Sequence, residues 1–312
     1  MNVSITVISY NSANTIIQTL DSILAQDYDT QRIELIISDD ASTDNCLDVI
    51  GDWLLKNEDS FLKVNFIQNK INKGVTRNCN IAWRAATCEW IKPIAGDDIL
   101  MSNCISDNVM FVKNNPDCKV VFSKMQWFGS VEKITPTPYD LKFFDINHQK
   151  QNSWLKVFSF NIAPSAFINK SVLDQVGYAD ESLRNIEDLP LWLKITHAGY
   201  KLYFLDKVTV KYRAAESTSM SDHRYVNIKF LKDLIKINKS QEKPFFKAPI
   251  DEIVRQEQLL LFNLTLIIAV MTGNKKNQLS MLLGRSTWAL RPIHAMHQFK
   301  YKRYNAKKDT TY

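Results

Sequence analysis

The sequence is poor in the residues that punctuate, staple or anchor a chain. Its 312 residues hold only 8 glycines and 9 prolines and no short repeat, which sets aside collagenous, low-complexity and solenoid architectures. Five cysteines, Cys46, Cys79, Cys88, Cys104 and Cys118, include no C-x-x-C pair. Neither a disulfide framework nor a thiolate zinc site is expected, and the thiols read as reduced core residues. The five histidines show no metal-ligand spacing. The opening MNVSITVISYN has no basic stretch, apolar core or small-residue cleavage site, so the expected location is the cytoplasm. The longest apolar run, residues 259–271, is broken by Asn263 and Thr265. It falls short of the roughly 20 residues a spanning helix needs, so no transmembrane anchor is expected. No G-x-G-x-x-G follows the first apolar strand and no G-x-x-x-x-G-K-[ST] occurs, which argues against a dinucleotide site and a P-loop.

What remains is 45% hydrophobic and 23% charged, enough for a large core in one domain or in a catalytic domain with an appendage. Residues 3–9 are a β-branched run ending in a polar turn, and Ile16, Ile17, Leu20, Ile23 and Leu24 then fall at helical spacing behind Ser12 or Asn14 as cap. The pattern repeats: strands at 33–37, 64–67 and 90–95, with helices around 47–54 and 76–86. Such alternation predicts an α/β fold, a mostly parallel sheet with helices on both faces.

In such a sheet the ligand sits beyond the carboxyl ends of the strands. Here those ends carry Ser9-Tyr10-Asn11, Asp39-Asp40 and Asp97-Asp98. One Asp-Asp pair alone also suits a helix start or turn. Two pairs at one edge would repel each other unless they hold a cation or select hydroxyl and imide groups, and a divalent metal bridging a ligand diphosphate meets that need.

The segments ITVISYN (5–11), IISDDASTD (36–44), NKGVTRN (72–78), AGDDIL (95–100) and NIEDLPLWL (185–193), in this order and spacing over about residues 1–213, resemble glycosyltransferase family 2. These are the inverting sugar-nucleotide-dependent transferases of the GT-A, Rossmann-like fold. The resemblance implies that Tyr10 packs on the base, with Ser9, Asn11 and Asp39 in the same nucleotide-binding group. Asp40 would accept an imide N–H of uracil or thymine. Arg77 would lie near base or diphosphate, Asp97 would hold the ribose hydroxyls, and Asp98 would ligate Mg²⁺ or Mn²⁺. Asp188 would be the general base with Glu187 beside it, although the two acids could also serve only the dipole of the helix they open. Two departures stand out. Ala95 replaces the aspartate of the commoner metal motif, which predicts weak affinity for the free ion. Tyr212-Arg213 is not followed by the histidine many relatives carry, a place for which only Glu216 or His223 offers itself. Trp127, Trp154 and Trp192 could stack on sugars, although core roles are commoner for tryptophan at such spacing.

After Arg213 the pattern becomes helical, which divides the chain into a catalytic domain over 1–215, a connecting segment over 216–249 and a helical C-terminal appendage over 250–312. The helix predicted over 250–271 is apolar nearly all round in its second half. It therefore needs cover from the catalytic domain, from a second subunit of a homo-oligomer or from a membrane interface. From Arg285 to Lys308 basic and aromatic residues interleave without an acid. That tail reads as a solvated end or as a site for anionic lipid headgroups; no nucleic-acid module accompanies it. The function expected is metal-assisted, inverting transfer of a sugar, from UDP or dTDP, to a hydroxyl of a glycan or lipid-linked acceptor. The setting expected is bacterial surface polysaccharide such as O-antigen, at the inner face of the membrane. A sugar nucleotidyltransferase and an inactive assembly scaffold are the alternatives. The first is disfavoured because residues 9–12 lack a glycine-rich, arginine-containing loop.

Overall fold

The computed structural model describes residues 1–156, 162–214, 223–240, 249–292 and 296. The first half follows the expected alternation: β1 (Val3–Ser9), α1 (Ile16–Leu24), β2 (Ile33–Asp39), α2 (Cys46–Asn57), β3 (Lys63–Gln68), α3 (Val75–Ala85) and β4 (Trp90–Ala95). β2 is buried at every position and β1 at all but one, as befits parallel strands covered on both faces. The cap of α1 differs from expectation. Thr15 precedes the helix, and the Thr15 and Ile16 amides donate to the Ser12 carbonyl rather than to a side chain. The Thr15 hydroxyl is drawn away to the Gly96 carbonyl, 2.8 Å off.

The strands line up as β3-β2-β1-β4, all parallel. Two successive crossovers move outward from β1 and the third returns past it to β4. Right-handed connections therefore put α3 on the face opposite α1 and α2. The reversal lies between β1 and β4, where a doubly wound sheet opens its ligand crevice.

The second half is not parallel throughout. It comprises β5 (Ile99–Leu100), α4 (Cys104–Asn114), β6 (Val120–Gly129), β7 (Lys133–Thr135), α5 (His148–Leu155), β8 (Phe167–Asn169), α6 (Lys170–Val176), α7 (Asp188–His197) and β9 (Leu202–Ala214). β8 enters antiparallel beside β4, β6 runs antiparallel to β8 and parallel to β9, and β5 closes the edge antiparallel to β9. The sheet is mostly parallel, with the short strands β5, β7 and β8 running against the rest. β5 and β8 are two and three residues long, too short to leave a periodicity in the sequence. Because β6 and β9 share the direction of β1 and β4, their carboxyl ends reach the same edge.

α8 (Ile228–Ser240), α9 (Pro249–Met271) and α10 (Gln278–Ser286) complete the described chain. α8, inside the stretch read as a connecting segment, packs Ile237 against Leu183 and Ile186 just before α7. α9 lies on α8 through Arg255 and Gln258, which bond the Asn238 carbonyl and side chain at 3.0 Å each. Burial of α9 within the chain holds for one face only. Val254, Ile268 and Ala269 are buried, whereas Ile267, Val270 and Met271 are exposed. By length and composition Glu252–Met271 is apolar enough to cross a membrane, with mean hydropathy 1.5. All five cysteines are free and buried. Of the basic tail, Arg285 ends α10 and is exposed, whereas Lys300 to Lys308 lie outside the described residues, as does Glu216.

Candidate active site

The loops after β1 and β2 are built against each other. Asn11 and Ala41 take left-handed backbone conformations, φ 52° and 62°. Asn11 accepts from the Thr43 amide at 2.8 Å and its own amide donates to the Ser42 hydroxyl at 2.8 Å. Asp39, fully buried, accepts from the Ser42 amide and hydroxyl at 2.8 and 2.6 Å. Ser9 is buried against Cys46, their Oγ and Sγ 3.1 Å apart. Ser9, Asn11 and Asp39 thus shape the loops, and Tyr10, 47% exposed, presents its ring to solvent.

Asp40 is engaged with the loop before α3. Its two carboxylate oxygens accept the Lys73 and Gly74 amides at 2.8 and 2.7 Å, and the side chain is buried. Through these two bonds it holds the 72–74 loop. Gly74, at φ 89°, lets that loop lie against Arg184, whose carbonyl would sit 2.9 Å from any Cβ there. Arg184 donates back to the Asn72 carbonyl at 3.0 Å, and the Thr76 hydroxyl donates to the Leu183 carbonyl. Asn80 exchanges two hydrogen bonds with Ala179, 2.9 and 3.0 Å. Segment 179–184 is therefore laced to α3 and its leading loop. Arg77 faces Glu181 at 3.5 Å, beside Arg84 at 2.9 Å from the same carboxylate. Its charge is shared with that ion pair.

This lacing delivers Glu187 and Asp188 to the start of α7. Both are partly buried. Glu187 offers no capping hydrogen bond, and Asp188 accepts the adjacent Leu189 amide at 2.6 Å. Desolvation first, then the neighbouring Asp188, pushes Glu187 up to about 8. Asp188 is raised as well, by desolvation, against the Leu189 hydrogen bond. The buried Cys79 thiol of α3 is raised by desolvation first and then by the charges of Glu187, Asp188 and Asp40. From the other side α8 braces the segment: Asp233 accepts the Asn185 amide and side chain at 3.2 and 2.7 Å, and Lys236 donates to the Ser182 carbonyl at 3.1 Å.

At the end of β4, Asp98 is buried and Asp97 exposed. Arg213 clamps both: its amide donates to the Asp98 carboxylate at 2.9 Å, its Nε to the Asp97 carbonyl at 2.8 Å and its Nη2 to Gln18 at 2.6 Å. Asp98 is pushed up to about 8 by desolvation and then by the Asp97 charge, and Asp97 is raised too, chiefly by desolvation. The Asp98 carboxylate, buried next to the exposed Asp97, offers oxygen of the kind a hard divalent cation takes. Among the described residues no cluster of three or more metal-type side chains exists, consistent with Ala95 at the end of β4. Two protein oxygens fit such an ion when a diphosphate supplies further oxygens. Behind the site, fully buried Lys92 donates to the carbonyls of Pro93 at 2.9 Å, Ala166 at 3.3 Å and Pro164.

Arg213, Arg184, Lys92 and Asn78 escaped sequence reasoning as site-building residues. Asn78 accepts from the Ser38 hydroxyl at 2.6 Å and donates to the Ser38 carbonyl at 2.9 Å. Arg213 left a signal in the Tyr212-Arg213 pair and Asn78 in the segment NKGVTRN; Arg184 and Lys92 left none. His223 lies with the turn after α9, its carbonyl accepting from Lys276. Of the tryptophans, Trp192 is core, edge-on to Phe122. Trp127 packs on Tyr212 with Lys133 over its ring at 3.9 Å, and Trp154 contacts Phe143 and Tyr139.

The family model for glycosyl transferase family 2 matches residues 4–177. The chain is 32% identical over 219 residues to the UDP-Glc:alpha-D-GlcNAc-diphosphoundecaprenol beta-1,3-glucosyltransferase WfaP of Escherichia coli, spanning 68% of this chain and 76% of that protein. The fold is similar to that of S. aureus TarS 1–349 in complex with UDP-GlcNAc (TM-score 0.62, 21% identity, covering 85% of this chain and 72% of that one). It is similar also to the mannosyltransferase PcManGT of Pyrobaculum calidifontis in complex with GDP-Man and Mn²⁺ (TM-score 0.59, 18% identity, covering 98% and 85%).

Proposed function

The chain belongs to glycosyl transferase family 2 and is a glycosyltransferase, and from that premise we propose that it moves a sugar from UDP or dTDP to a hydroxyl of a lipid-linked saccharide, with inversion. The observation that carries the reading is the pair Glu187–Asp188, desolvated and raised in proton affinity, held beside the Asp40-supported loop. The donor class is supported by the UDP-sugars named for WfaP and TarS, the acceptor by the diphosphoundecaprenol named for WfaP.

The residues divide the work. Tyr10 packs on the base and Asp97 takes ribose hydroxyls. Asp98, with Asp97 beside it, would hold Mn²⁺ or Mg²⁺, which supplies charge neutralisation to the leaving diphosphate. Asp40 keeps the 72–74 loop closed over Arg184, so that Asp188 stays fixed where an acceptor hydroxyl arrives. Asp188 takes that proton as the hydroxyl attacks the anomeric carbon from the face opposite the diphosphate, and Glu187 orients the hydroxyl. Residues 1–215 form the catalytic domain, working in the cytoplasm at the inner face of the membrane, and the product is a surface polysaccharide intermediate of the O-antigen or capsule type.

Thermal shift with UDP-, dTDP-, GDP- and CMP-sugars plus Mn²⁺ tests the reading. A ligand at about 100 times its Kd adds roughly 2.7 kcal/mol to stability, and a UDP- or dTDP-sugar is expected to protect. Protection by GDP alone overturns the donor assignment. Nucleotide-sugar synthesis from a nucleoside triphosphate and a sugar 1-phosphate supports the nucleotidyltransferase, and no binding or hydrolysis supports the scaffold.

A further inference from the structure

The outward stripe of α9 is Ile253, Gln256, Leu260, Asn263, Ile267 and Val270, exposed positions that alternate three and four apart. Such spacing keeps them on one side of a helix. The stripe carries no charge, and beyond the turn Leu279, Met281 and Leu282 of α10 are exposed as well. A large apolar surface left open on a folded chain marks a place of contact.

Charge says with what. Between residues 258 and 308 the sequence has nine lysines and arginines and no aspartate or glutamate. Lys275 and Lys276, in the turn between α9 and α10, and Arg285, at the end of α10, are exposed beside the apolar side chains. Two copies meeting along this face would bring two such cationic regions together, a repulsive arrangement. An anionic bilayer reverses that sign: apolar side chains enter the acyl boundary and flanking cations meet the headgroups. We infer that the outer face of α9 and α10 is a lipid-docking surface for anionic membranes.

The surface is mechanically tied to the site. The turn after α9 is strapped to residues 223–226: the Tyr225 amide donates to the Asn274 carbonyl at 2.9 Å and the Lys276 amide to the His223 carbonyl at 3.1 Å. α9 bears on α8 through the Asn238 contacts, and α8 bonds Asn185 and Ser182 through Asp233 and Lys236. One helix layer therefore separates the lipid-facing stripe from the segment that carries Glu187 and Asp188. Docking fixes the height and tilt of that acidic pair above the bilayer, where a lipid-linked acceptor presents its hydroxyl. This consequence for transfer rests on the function proposed above; the surface itself does not.

Flotation of the full chain with phosphatidylglycerol–phosphatidylethanolamine vesicles, against phosphatidylcholine alone, tests it. The wild type is expected to float with the anionic vesicles, less so as salt rises. Ile267→Glu combined with Leu282→Glu is expected to lower partition at least tenfold at unchanged thermal midpoint. Should that pair unfold the chain, Lys275→Glu with Arg285→Glu, at exposed positions, should weaken binding in the same direction. Transfer to an acceptor embedded in the vesicles should fall with binding, while hydrolysis of the nucleotide sugar in solution is unaffected. Folded variants of both kinds that float like the wild type overturn the inference, as does a wild-type dimer that Ile267→Glu/Leu282→Glu separates into monomers. Wild-type flotation lost in the variants, without any nucleotide-sugar binding, upholds the surface and overturns the donor reading alone.

Discussion

Asp188 carries two roles that one substitution can separate. Its carboxylate bonds the Leu189 amide at the start of α7 and, on the proposed mechanism, takes the acceptor's proton. Asparagine keeps size and one acceptor oxygen but has no useful basicity. Asp188→Asn is therefore expected to leave stability and nucleotide-sugar affinity nearly unchanged and to lower transfer by about 10² to 10⁴, the usual contribution of a positioned base. Single-turnover kinetics and a melting curve on the same preparation decide it. Near wild-type transfer, or a defect confined to stability, returns the residue to simple helix support. At this scale the residue types were readable in the sequence, and their partners were not. Asp40 and Asp39 look alike in the run ISDDAS, yet one spans to the amides of residues 73 and 74 and the other to Ser42, three positions on. A carboxylate takes whichever N–H groups the fold brings to it, and those of Asp40 come from 33 and 34 residues away.

Among the elements, the 72–76 loop joins the acidic site to α3. Gly74 has φ 89° and lies against the Arg184 backbone, whereas Gly177, φ 75°, ends α6 with nothing within 4 Å of a Cβ placed there. Gly177→Ala should cost only the left-handed penalty, about 1–2 kcal/mol, and spare transfer. Gly74→Ala adds a clash with the segment that leads to Glu187 and Asp188, for a total on the order of 1–3 kcal/mol or more. It should reduce transfer beyond what its stability loss explains. Chemical denaturation and transfer assays of the two variants make the comparison; equal effects would mean the contact at Gly74 does no positioning. The strands and helices of the first half were legible because each is long enough to show its period. β5 and β8 were not, and antiparallel entry of β8 beside β4 depends on pairing partners 80 or so positions apart, Trp90 with Asn169.

For the molecule as a whole, the partly buried acids at the start of α7 tie stability to pH. Glu187 is raised from 4.5 to about 8, so the native state holds protons that the unfolded chain has lost between those values. Stability contributed by Glu187 is then fully present below about pH 4.5 and is lost as pH rises toward 8. Glu187→Gln removes much of that loss. Its melting temperature, relative to wild type, is expected to climb from pH 5 to pH 8, and a constant offset across that range would contradict the assignment.

The sequence by itself determined that this chain folds as an α/β protein, where its first four strands end, which carboxylates lie at those ends and to which family it belongs. These follow from local periodicity and from short motifs whose residues are adjacent along the chain. Only the tertiary structure decided that Asp40 supports a loop, that Arg77 pairs with Glu181, that Arg213 clamps Asp97 and Asp98, and that α9 turns an apolar stripe outward. Each depends on contacts across tens to more than a hundred residues, such as Arg213 with Asp98, or on which face of a helix its neighbours cover, and neither is encoded in the spacing of residues along one segment.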